Sequence, residues 1–167
     1  VYHTGDGGTS NTIYGKTAGD SLASGGNYNA LIGENAGTAV STGDNNIAIG
    51  YNALTALATG AGNVAIGYQA MDAVNDDESS NIAIGSSAMG AADQGSHASA
   101  RVYANIAIGE NALTGGDFGS SDLNLDYNIA IGSGALNSTG TAEHVGSIVS
   151  EQMQVRQLTM LMRVVLS

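Results

Sequence analysis

One nine-residue phrase recurs seven times in this chain and constrains its fold more than any other feature. Its clearest form is Asn46-Ile47-Ala48-Ile49-Gly50-Tyr51-Asn52-Ala53-Leu54, and the other copies begin at Asn11, Asn29, Asn63, Asn81, Asn105 and Asn128. Three positions never vary. They are the opening Asn, the Gly four residues on (Gly15, Gly33, Gly50, Gly67, Gly85, Gly109, Gly132) and the Ala seven residues on (Ala18, Ala36, Ala53, Ala70, Ala88, Ala112, Ala135). Successive copies stand 18, 17, 17, 18, 24 and 23 residues apart. A short fixed period implies stacked units that bury their apolar sides on one another, so the expected architecture is an all-β parallel solenoid of about seven rungs.

Composition agrees with a thin core. The chain of 167 residues has 25 Gly, no Pro, no Cys, no Trp and a single Phe. Ile, Leu, Val and Ala must therefore carry nearly all of the burial, which suits an interior one side chain deep. Without Cys there are no disulfides and no thiolate metal ligands. The net charge is −11. Residues 1–140 hold 13 Asp and Glu against Lys16 and Arg101, whereas Glu143 and Glu151 balance Arg156 and Arg163 in the last 27. An acidic surface repels nucleic acid and anionic membrane, and no stretch is long and apolar enough to be a spanning helix. The chain starts at Val1 without a signal-peptide pattern, and the expectation is a processed protein or a piece of a longer one.

Within a copy, Ile47-Ala48-Ile49 alternates large, small, large. Period-two alternation places Ile47 and Ile49 on one strand face and Ala48 on the other. Taking the larger apolar side chains as the core predicts that Ile49, Ile66, Ile84, Ile108 and Ile131 form one buried column. The Gly then bends the chain through positive φ. The fixed Ala is expected to open a second short strand. An apolar residue four positions after that Ala (Leu22, Val40, Leu57, Val74, Ala92) is expected to give a second inward segment. The invariant Asn is read chiefly as a ladder of stacked amides, and otherwise as a row of ligand-binding amides.

The two long spacings add residues within Ala91–Ala104 and Gly115–Tyr127, which are expected to leave the stack as loops. They carry His97, Arg101, Tyr103 and Phe118, which the repeat does not require and which are the candidate binding residues. Residues 1–10 read as a lead-in, 11–140 as the repeat domain and 141–167 as a separate C-terminal segment. Three readings of that segment stay open: a cap or degenerate rung at Ser147-Ile148-Val149, a helical neck, or sequence that is not native.

The repeats from Asn11 to about Asn137 resemble the head repeats of trimeric autotransporter adhesins. They are also similar to the Asn-x-Ala-Ile-Gly-x-x-Ala-Leu arrays of phage tail-fibre-like proteins; Asn46–Leu54 and Asn63–Met71 match most closely. The resemblance implies a left-handed parallel β-roll, three chains about a common axis, and a fibre or adhesin head. The small Ala48 and Ala53 would then permit close packing of neighbouring strands or chains.

Candidate chemistry is sparse. His3, His97 and His144 form no ligand-spaced pair, and no nucleophile motif or P-loop is present. Asp44, Asp76-Asp77-Glu78, Asp122 and Asp126 read as a solvated acidic edge, with Ca²⁺ bound by turn carboxylates as the minority reading. The expected class is a non-enzymatic structural or adhesive fibre segment, extracellular or on a virion surface. It associates with itself as a homotrimer or filament and contacts a cell-surface glycan or protein receptor. The alternative is a receptor-free filament subunit polymerising end to end.

Overall fold

Each copy of the phrase lays down one short parallel strand that a Gly ends, and in the last five copies β-branched residues flank its centre. The computed structural model describes residues 8–73, 78–91, 101–114, 124–137, 144–145 and 148–150. The strands are β1 (Thr12–Tyr14), β2 (Ala30–Ile32), β3 (Ile47–Ile49), β4 (Val64–Ile66), β5 (Ile82–Ile84), β6 (Arg101–Tyr103), β7 (Ile106–Ile108), β8 (Asn124–Asp126), β9 (Ile129–Ile131), β10 (His144–Val145) and β11 (Ile148–Ser150). An eight-stranded sheet runs β1-β2-β3-β4-β5-β7-β9-β11, and a three-stranded sheet runs β10-β8-β6. Every pairing is parallel and in phrase register, as in Ile47 opposite Val64, Ala48 opposite Ala65 and Ile49 opposite Ile66. The chain is thus all-β, with no helix among the described residues, and its repeated parallel strands are consistent with a solenoid-like β-roll.

The strand register is the reverse of the sequence expectation. Ala48, Ala65, Ala83, Ala107 and Ala130 are fully buried, while Ile49, Ile84 and Ile108 are each 37% exposed and Ile131 is 50% exposed. Ile47 faces outward too, and Ile66 is only half-buried. Alternation identifies two faces without saying which is the core, and here the small residue points in. The reason lies six residues further along. Opposite each inward Ala stands a buried Leu54, Met71, Met89, Leu113 or Leu136. The first two copies invert the pair: Ile13 and Leu31 point inward, and the matching residues are Gly19 and Gly37. A Cβ on Gly37 would lie 2.6 Å from Leu31 Cδ2. Large and small exchange walls, and a narrow interior is filled once rather than twice.

The second strand expected at the fixed Ala is instead a turn. Ala53 N–H bonds to the Gly50 carbonyl at 3.5 Å, and Leu54 N–H reaches the Ala70 carbonyl of the next copy at 2.9 Å. Successive turns are therefore laddered to one another without being extended. Leu54, Met71, Met89, Leu113 and Leu136 all sit at φ of 52–57°, the left-handed region their side chains disfavour. The inward segment after the Ala is present where described: Val40 and Leu57 are fully buried, and Leu22 packs against the core. Val74 and Ala92 lie outside the described residues.

The invariant Gly earns its invariance sterically. At Gly50, φ is +137° and a Cβ would stand 2.3 Å from the Gly67 carbonyl oxygen. Each turn approaches the next too closely for any side chain.

Candidate functional site

Among the described residues, a continuous polar file runs inside the molecule. Asn29, Asn46, Asn63, Asn81, Asn105 and Asn128 are buried in one file. Each Oδ1 accepts the backbone N–H of the Asn in the next copy: Asn46 N–H to Asn29 at 2.8 Å, Asn63 N–H to Asn46 at 3.0 Å, Asn81 N–H to Asn63 at 3.0 Å. Each Nδ2 donates to the carbonyl three residues before that next Asn. Asn29 reaches Gly43, Asn46 reaches Gly60, Asn63 reaches Glu78, Asn81 reaches Val102 and Asn105 reaches Leu125. The ladder satisfies buried backbone groups at a corner where the strand bond pattern has not yet begun. These amides are engaged inward, so they are a structural ladder, and the ligand-row reading is set aside.

The residues expected in projecting loops divide. Arg101 and Tyr103 belong to strand β6, whose central Val102 is fully buried, and β8 places Leu125 inward in the same way. Residues 101–103 and 124–126 are therefore part of the packed body, a correction to the reading of both long inserts as loops throughout. The signal was present in the alternations Arg101-Val102-Tyr103 and Asn124-Leu125-Asp126. Tyr103 packs edge-on against Tyr127, with centroids 5.7 Å apart. His97 and Phe118 lie outside the described residues.

The acidic edge is also corrected in part. Asp44 faces solvent partly and its carboxylate accepts the Asn27 N–H at 2.6 Å. Glu78 and Asp126 are buried, not solvated. Asp76, Asp77 and Asp122 lie outside the described residues, as do His3 and the side chain of His144. Among the described residues, no group of three His, Cys, Asp or Glu side chains is placed to hold a metal ion.

What the surface does present is apolar. The outward residues of the long sheet form two files, one running through Ile47, Val64, Ile82, Ile106 and Ile129 and the other through Ile32, Ile49, Ile66, Ile84, Ile108 and Ile131. With about 4.8 Å between strands and three residues per strand, the longer file gives a face of roughly 24 Å by 10 Å. Immediately past each bending Gly runs a third file, Lys16, Glu34, Tyr51, Tyr68, Ser86, Glu110 and Ser133. Lys16 Nζ lies 3.6 Å from the Glu34 carboxylate, and Tyr51 stacks on Tyr68 at 5.6 Å with 12° between planes. No protein-family model, curated protein or solved structure matches the chain.

Proposed function

We propose that this chain is a non-enzymatic structural segment of a surface-displayed fibre, extracellular or on a virion, that associates with itself, most simply as a parallel homotrimer. In this reading its seven copies are the rungs of a left-handed β-roll, and the rungs supply reach while other surfaces of the fibre supply attachment. The single observation that carries it is the outward apolar face. Outward β-branched residues in two continuous files, exposed at Ile47, Ile49, Ile84, Ile108 and Ile131 and half-buried at the rest, form the kind of surface that another protein surface covers. The sheet repeats in register over its length, so a second copy offers a face of matching period and chemistry. This replaces the Ala48-type positions as the basis for close approach, because those alanines are inside.

Mass in solution tests the reading. Three chains of 16.6 kDa give about 50 kDa. Light scattering is expected to return that mass at micromolar concentration. The triple substitution Ile49→Ser, Ile66→Ser, Ile84→Ser is expected to return 16.6 kDa while leaving the far-ultraviolet β signal. A stable unsubstituted monomer would overturn self-association. Particles of unlimited and variable length under electron microscopy would favour the end-to-end filament instead.

A further inference from the structure

The file just past the bending Gly changes character along the molecule. Its first pair is ionic, Lys16 with Glu34, and its second is aromatic, Tyr51 with Tyr68. The third is Ser86 followed by Glu110, both exposed. The corner that carries them is fixed by backbone bonds from copy to copy: Gln69 N–H to the Tyr51 carbonyl at 2.9 Å, Ser87 N–H to Tyr68 at 2.8 Å and Asn111 N–H to Ser86 at 2.9 Å. Tyr51 covers one face of the Tyr68 ring. The layer on its other side belongs to Ser86, whose side chain is a single hydroxymethyl group too small to cover a ring. Tyr68 is 53% exposed and Tyr51 45%.

We propose that the Ser86 layer is a slot for a cationic side chain of a partner protein, an arginine above all, held between the open face of Tyr68 and the carboxylate of Glu110. The file itself supplies the precedent. Glu110 stands one copy beyond Ser86, as Glu34 stands one copy beyond Lys16, and there a cation and a carboxylate in adjacent layers meet at 3.6 Å. A guest cation in the Ser86 layer meets Glu110 in the same relation. It meets Tyr68 on the side away from the carboxylate, where the ring's negative face attracts it. Glu110 has no ion pair among the described residues. A guanidinium fits best because it is planar, stacks on an aromatic face and donates from its edge to carboxylate and hydroxyl oxygens. The net charge of −11 draws a cation to this surface and gives a neutral sugar no such advantage. One aromatic face and one exposed carboxylate make a weak site, on the order of millimolar or weaker for a single residue. A basic strand engaging several chains of a multimer would gain from avidity.

The test is a titration of the isotope-labelled 167-residue chain with a blocked Gly-Arg-Gly peptide, followed by amide resonances, with the same peptide carrying neutral citrulline as control. Saturable shifts are expected at Tyr68, Ser86 and Glu110, with at least fivefold weaker binding for citrulline and for Glu110→Gln. Ser86→Lys places a cation in the slot from within and is expected to abolish the response at unchanged or higher melting temperature. Ser86→Tyr, which extends the aromatic stack, is expected to do the same. Equal binding of the citrulline peptide, shifts that centre elsewhere, no saturable response, or competition at these amides by a neutral oligosaccharide would each overturn the proposal. Because mass is read on the same sample, failure of the slot and failure of self-association are seen separately.

Discussion

The first two copies of the phrase and the next five fill the same interior from opposite walls. In residues 11–45 the bulk comes from the strand, as Ile13 and Leu31, and the facing turn holds Gly19 and Gly37. From Asn46 onward the strand offers only Ala and the turn supplies Leu or Met. The backbone does not notice the exchange. Gly19 and Gly37 sit at φ of 58°, and Leu54, Met71, Met89, Leu113 and Leu136 sit between 52° and 57°. The later copies thus accept a left-handed conformation that Gly adopts freely, in return for a turn that buries a large side chain. Volume is conserved per copy rather than per position, and a position-by-position reading of the sequence misses it.

The same trade recurs at the corner before the Asn. Gly26, Gly43 and Gly60 occupy that corner in the earlier copies, and the first and last of them leave room for a neighbour: a Cβ on Gly60 would meet Leu57 Cδ1 at 2.6 Å, and one on Gly26 would meet Leu22 Cδ2 at 2.6 Å. In the later copies Val102 and Leu125 take the equivalent corner and are themselves buried. The added residues of the longer copies therefore bring a second wall, β6, β8 and β10, into the body.

Against these exchanges the Asn ladder is constant, and breaking it should show the largest effect. Asn63→Leu leaves the Glu78 carbonyl and the Asn81 N–H without their present partners in a buried corner. Each such group costs roughly 1–3 kcal/mol, so a loss of about 2–6 kcal/mol is expected in chemical denaturation. Asn29→Leu strands the Gly43 carbonyl and the Asn46 N–H in the other region and should cost a similar amount. If the two losses differed several-fold, the ladder would be responding to the wall that changes, and the separation of constant from variable parts would be wrong.

The exchange itself is testable as a cycle. Leu54→Gly opens a cavity of about 2–5 kcal/mol, less roughly 1 kcal/mol for relief of the left-handed backbone. Ala48→Leu overfills the intact core by about 1–3 kcal/mol. The double substitution rebuilds the arrangement of Leu31 with Gly37, and its stability is expected to recover well above the sum of the singles. A purely additive double substitution would mean that the two walls do not share one space.

Much of this was legible in the sequence, and the illegible part has a physical cause. The repeat placed the strands β1–β5, β7 and β9, because Asn and Gly bracket the same three-residue segment in every copy. The Asn ladder followed from its invariance and spacing. The core face did not follow. Alternation is symmetric between faces, and the rule that larger apolar residues lie inside fails where the interior is one side chain wide and already occupied. The pairs Ile13 with Gly19 and Leu31 with Gly37, set beside Ala48 with Leu54 and Ala65 with Met71, carry the answer. A residue that changes size in step with a turn residue shares space with it. The burial of Glu78 and Asp126 and the open face of Tyr68 lay further out of reach, since each depends on which residue occupies the neighbouring copy at the same file.

The smallest expected effect concerns the file two residues past the fixed Ala, which runs through both regions. It reads Asp20, Thr38, Thr55, Asp72, Gly90, Thr114 and Asn137. Thr38 and Thr55 donate hydroxyl bonds to backbone carbonyls, Thr55 to Asp72 itself at 3.2 Å. Asp72 has only acceptors when ionised. Partial burial pushes its carboxyl above the ordinary aspartate value, and a backbone hydrogen bond offsets this in part. A carboxyl with a raised pKa holds its proton more tightly folded than unfolded. Between the unfolded and folded values the native state binds more protons, so stability falls as pH rises through that window and then stays level. Acidification into the window from neutral pH should therefore recover a small increment of stability from this residue. Asp72→Asn, which keeps the shape and removes the charge, should melt slightly higher than the parent at neutral pH and lose the increment on acidification. The difference between the two proteins at pH 7 and at acid pH isolates the residue from the other carboxylates. If Asp72→Asn melted lower than the parent at pH 7, the carboxylate would be favoured where it sits, and the polar contact rather than the burial would govern that file.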